Sequence, residues 1–190
     1  NGFSSDAIQW FEIDGSDGST IDTDIEGPQS VFAADLDGDG DQDVLSANGS
    51  LNDNITWYEN DGSGGFGPQQ VITADISSPT SVSAADMDGD GDIDVLLASE
   101  SNPNIAWFEN NGSGEFGDPQ VIDNLATDPK FIIAADLDGD GDLDVLSNDD
   151  GFNSTEDDKI VWYENNGDGD FVDPQVITTD ADGLQSAFSV

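Results

Sequence analysis

The chain has no cysteine and no histidine, and only two basic residues, Lys130 and Lys159, against 43 acidic ones. Without cysteine there is no disulfide, no thiolate nucleophile and no zinc–sulfur site, and the redox compartment stays open. Without histidine the commonest general base and transition-metal ligand is missing. Two lysines cannot build a basic patch, so nucleic acid is excluded as a partner. No apolar run approaches ~18 residues, so no membrane insertion is expected, and the first residues do not read as a signal peptide. Sustained helical periodicity is absent as well.

What is present is a 190-residue chain of formal charge −41 in which 35% of residues are hydrophobic. Acidity of this order often marks disorder. Here the acids are clustered, and four Trp, two Tyr and ten Phe recur at regular places. The length suits one domain with a sizeable core.

The regularity is a repeat. The string Asp-x-Asp-Gly-Asp-Gly-Asp-x-Asp begins at Asp35, Asp86 and Asp136, in steps of 51 and 50 residues. An aromatic pair and an acid recur as Trp10-Phe11-Glu12, Trp57-Tyr58-Glu59, Trp107-Phe108-Glu109 and Trp162-Tyr163-Glu164. A third element runs Phe66–Ile72, Phe116–Ile122 and Phe171–Ile177. Each unit holds four short apolar runs bounded by Gly, Asn and Asp, which is strand chemistry. In the second unit the expected strands are Ser81–Ala85, Asp94–Ala98, Asn104–Glu109 and Pro119–Ile122. Both faces of the third strand are apolar, so each sheet must be covered on both sides. Radial packing of four-stranded antiparallel meanders satisfies this, with small residues such as Ala84-Ala85 on the crowded inner strand. The expected fold is all-β, a β-propeller.

The Asp strings carry the chemistry. Asp35, Asp37, Asp39 and Asp43 stand at positions one, three, five and nine of a tight loop, and Asp41 at seven can offer its backbone carbonyl. Alternating carboxylates around a glycine can wrap a hard cation in oxygen. The second loop supplies Asp86, Asp88, Asp90, Asp92 and Asp94, and the third Asp136, Asp138, Asp140, Asp142 and Asp144. Position twelve is Ser46, Leu97 or Ser147 rather than Glu, and strands follow, so these are EF-like loops set in β-hairpins. Oxygen-only ligands favour Ca²⁺ over Mg²⁺, giving three expected sites.

The Asp loop after the inner strand, together with the Phe-Gly element, resembles the FG-GAP or VCBS-type repeat, which also builds the propeller of integrin α subunits. The resemblance spans nearly the whole chain. It implies a calcium-binding, secreted or cell-surface propeller and names no particular ligand.

Laid on this repeat, residues 1–28 form a partial blade, 29–78, 79–128 and 129–180 three full blades, and 181–190 the first strand of another. About 3.5 blades read as a piece of a seven- or eight-bladed ring, or as a protomer that another chain completes. The unpaired edges make self-association through blade edges an expectation. The function expected first is adhesion or protein or glycan binding with structural calcium. A self-assembling ring or filament subunit is the alternative, and a non-catalytic part of a polysaccharide-degrading enzyme a remote one. No nucleophile–base pair is identifiable, so the segment does not read as an enzyme. The high charge suits an extracellular, salty medium. The Trp residues read as blade-to-blade core, and Glu59, Glu109 and Glu164 as strand-end structure. The lengthened segment 148–159 reads as a candidate recognition loop.

Overall fold

In a computed structural model, residues 6–11, 18–49, 53–101, 103–149 and 158–181 are described. They form fourteen strands and no helix. A two-stranded unit, β1 (Ile8–Gln9) and β2 (Thr20–Asp22), comes first. The first blade is β3 (Pro28–Ala34), β4 (Asp43–Asn48), β5 (Asn54–Tyr58) and β6 (Gln70–Thr73). The second is β7 (Pro79–Ala85), β8 (Asp94–Ser99), β9 (Ile105–Phe108) and β10 (Gln120–Asp123). The third is β11 (Ile132–Ala135), β12 (Asp144–Asp149), β13 (Lys159–Tyr163) and β14 (Gln175–Thr178). Each blade is a sequential antiparallel meander. The strand anticipated within 181–190 and the tip of the long loop, 150–157, lie outside the described residues.

The first strands neighbour one another, β3 against β7 and β7 against β11, so they form the inner rim. This is the blade order of a β-propeller, and no ring closes among the described residues. The apolar cores sit between blades rather than within them. Leu45, Ala47, Ile55 and Trp57 of the first blade meet Val82, Val95, Leu97 and Phe108 of the second. Leu96, Ala98, Ile105 and Trp107 then meet Ile132, Val145, Val161 and Tyr163 of the third. Alternation along each strand sends one set of side chains to either neighbour, which is why both faces are apolar. Trp57 and Trp107 are buried in these junctions, as core residues.

Candidate metal centres

Each Asp string closes the hairpin between a blade's first and second strands. The first carboxylate shapes the turn: Asp35 accepts backbone N–H bonds from Gly38 (2.8 Å) and Gly40 (3.0 Å), and Asp86 does the same for Gly89 and Gly91. The following aspartates make shorter Asx turns, Asp39 N–H to Asp37 and Asp41 N–H to Asp39. The sixth residue is glycine because φ there is about +97° to +106° in all three loops, a region costly for other residues.

This winding brings three carboxylates together in each loop. Asp35, Asp37 and Asp39 converge in the first, Asp86, Asp88 and Asp90 in the second, and Asp136, Asp138 and Asp144 in the third, with oxygens within 4.8 Å of one another. The position-seven carboxylates point elsewhere. Asp41, Asp92 and Asp142 lie over Gly62, Gly112 and Gly167 in the outer turn of the same blade, where a Cβ would come within 2.3 to 2.6 Å of them.

The position-nine aspartates have a further task that their spacing did not reveal. Each is buried and bridges two backbone segments. Asp94 accepts from Met87 N–H (2.8 Å) in its own loop and from Asn110 N–H (2.9 Å) beyond the third strand. Asp43 joins Leu36 and Asn60, and Asp144 joins Leu137 and Asn165, in the same way. Burial pushes the Asp94 carboxyl up to about 7; the two backbone bonds oppose this, and Asp88 and Asp90 add to it. Asp43 is raised for the same leading reason, with Asp37 and Asp39 contributing.

The donor set fits a hard divalent ion. All donors are oxygen, the carboxylates crowd one another, and neither lysine offsets them. Lys130 pairs with Glu100 (2.9 Å) and Asp128, and Lys159 with Asp149 (3.3 Å). Asp35, Asp37, Asp39, Asp86, Asp88, Asp90, Asp136, Asp138 and Asp144 would hold the ions, and each ion would neutralise a repelling cluster.

The recurring glutamates serve the strand end. The Glu59, Glu109 and Glu164 carbonyls accept from Gly67, Gly117 and Val172, and the Glu109 and Glu164 carboxylates hold Gln120 and Gln175. The outer turns are tied to the preceding blade by Asn110, whose amide donates to the Leu36 carbonyl (2.7 Å), and by Asn165, which donates to Met87 (2.7 Å). These bonds hold neighbouring Asp loops in register. In the sequence Asn at this position marks only a strand boundary; its recurrence as Asn60, Asn110 and Asn165 is the signal for a further role.

Residues 35–97 and 86–147 each match the family model described as FG-GAP-like repeat. No curated protein matches the sequence. Among solved structures, the chain is similar to an Agrocybe aegerita lectin described by its specific recognition of non-reducing terminal N-acetylglucosamine. The identity is 24%, the TM-score 0.56, and the match covers 80% of this chain and 38% of the lectin. A biofilm matrix protein of V. cholerae aligns at 23% identity and a TM-score of 0.34, over 81% of this chain and 28% of that one. The chain thus spans less than two fifths of either protein's length.

Proposed function

The chain belongs to the FG-GAP-like repeat family, and from that premise we propose that it is a non-catalytic, calcium-stabilised binding module working outside the cell. The observation that carries this reading is the threefold recurrence of a converged carboxylate trio in the same hairpin. Three such clusters on a chain of charge −41 repel one another unless cations sit among them. Extracellular modules bind Ca²⁺ in the ~10⁻⁴–10⁻³ M range, matching the concentration available there. The ions are structural. They stiffen the inner hairpins, and Asp43, Asp94 and Asp144 carry that order to the outer turns.

A rigid scaffold of this type presents its loops to a glycan or protein ligand. Glycans are the class to try first, since the lectin of similar fold recognises a terminal N-acetylglucosamine. No helix of the described residues is long and apolar enough to cross a membrane. The test is a glycan array probed with and without calcium, alongside calorimetric calcium titration. Binding that disappears with chelator, on a protein taking up three ions, is expected. A protein that takes up no calcium at millimolar concentration would refute the reading.

A further inference from the structure

At the three blade junctions, one pair of positions changes in concert. The last residue of a blade's fourth strand, which registers with the Ile two residues before the Trp, is Asp22, Thr73, Asp123 and Thr178 in turn. At two junctions it faces the aromatic after the Trp in the next blade, Asp22 against Tyr58 and Asp123 against Tyr163; at the junction between them the residues at the same two positions are Thr73 and Phe108. Where the aromatic is Tyr, its partner is Asp and the phenol donates to it: Tyr58 to Asp22 at 2.8 Å and Tyr163 to Asp123 at 3.0 Å. Where the aromatic is Phe108, the partner is Thr73, which carries no charge to strand. A buried phenol needs an acceptor, and the half-buried carboxylates of Asp22 and Asp123 supply it.

Two members of this series have no mate among the described residues. Phe11 is 72% exposed, although its counterparts Tyr58, Phe108 and Tyr163 are 1% exposed. At the other end, Thr178 follows Ile177, which is 57% exposed, whereas Ile21, Ile72 and Ile122 pack into the junction cores. Leu137 on the same face is 43% exposed, while its counterparts Leu36 and Met87 are covered by the next blade. The unmatched partners are a Phe and a Thr, the pairing already used by Phe108 and Thr73.

We propose that the outer face of the third blade, at Ile177, Thr178 and Leu137, docks the Phe11 face of a second copy of this chain, head to tail, in continuation of the existing junctions. The order of pairs around two such copies stays Asp–Tyr, Thr–Phe, Asp–Tyr, Thr–Phe. A heterologous contact of this kind yields a ring if its rotation closes and a filament if it does not.

The test is sedimentation of the 190-residue protein in millimolar calcium, with salt enough to screen its charge. The wild type should associate at tens of micromolar. Thr178→Asp places a carboxylate against Phe11 and should weaken association at least tenfold. Adding Phe11→Tyr to it should restore association, although the net charge is unchanged. Mixing the Thr178→Asp protein with the Phe11→Tyr protein should restore it too, because each then supplies the other's partner. Both positions lie on open faces, and circular dichroism checks that each variant folds. A monomeric wild type overturns the proposal, as does association indifferent to these substitutions. A monomer whose melting temperature alone follows the pairing would mean closure within one chain, and overturns it equally.

Discussion

The indole of Trp57 fills the space that a side chain on Gly114 would need: a Cβ there would lie 2.4 Å from the indole Cζ2. The same contact joins Trp10 to Gly64 and Trp107 to Gly169, so at each of the three junctions a Trp rests on a glycine of the following blade.

Gly114→Ala should therefore cost more than a glycine-to-alanine change at Gly91, although Gly91 lies further into positive φ (+97° against +72°). Both have positive φ, but nothing lies within 4 Å of a Cβ at Gly91. Backbone strain alone costs about 1–2 kcal/mol, and overpacking a junction core adds about 1–3 kcal/mol. Urea unfolding of both variants in chelator checks the order, and equal losses would contradict the contact.

Asn110→Ala should destabilise more than Asn60→Ala. The Asn110 amide is buried and bonds both Leu36 in the preceding blade and Ile93 in its own, whereas the Asn60 amide donates to the exposed Gln42 carbonyl. Losing two buried bonds costs about 2–3 kcal/mol, against about 1 kcal/mol for the exposed one. The readout is again the unfolding midpoint at constant slope.

In the absence of calcium, stability should fall as pH rises from about 4 to about 7. The folded Asp94 carboxyl titrates near 7 and the unfolded one near 3.8. Between those values the native chain holds a proton that the unfolded chain has lost, so raising the pH favours unfolding. Each kcal/mol lost lowers the melting temperature by about 2–4 °C. Calcium should flatten this profile, and Asp94→Asn should reduce its slope. A melting temperature that rises with pH in chelator would be the contrary result.

Native mass spectrometry after dialysis against millimolar calcium should find three ions on the wild type and two on Asp90→Ala, which breaks the second trio. At tenfold excess over the dissociation constant each ion adds about 1.4 kcal/mol. The variant should thus melt lower in calcium and nearly with the wild type in chelator.

The repeat, its four strands and the Asp loops were legible because each rests on local periodicity. The strand edges moved by one or two residues: β7 begins at Pro79 rather than Ser81, and β9 ends at Phe108 rather than Glu109, whose carbonyl is taken by the Gly117 turn. Less legible was anything that pairs distant positions. The spacing of Asp94 suggests a ligand but not a bridge between Met87 and Asn110, since a carboxylate in a loop and a buried one look alike in sequence. Asp92 lying over Gly112 depends on the outer turn folding back onto the loop. The Asp–Tyr and Thr–Phe pairs could have been found by comparing the repeats with one another, because the two columns change together.

The bonds between blades also have a direction in time. Asn110 reaches back 74 residues to Leu36, and Asn165 reaches back 78 to Met87. On a ribosome the acceptor carbonyl therefore emerges long before the amide that seeks it, and at ~5–20 residues per second the lead is several seconds. Each newborn blade meets a finished template rather than an unfolded neighbour. A highly charged chain can in this way be assembled one unit at a time, with the apolar surface uncovered at any moment confined largely to the outer face of the newest blade.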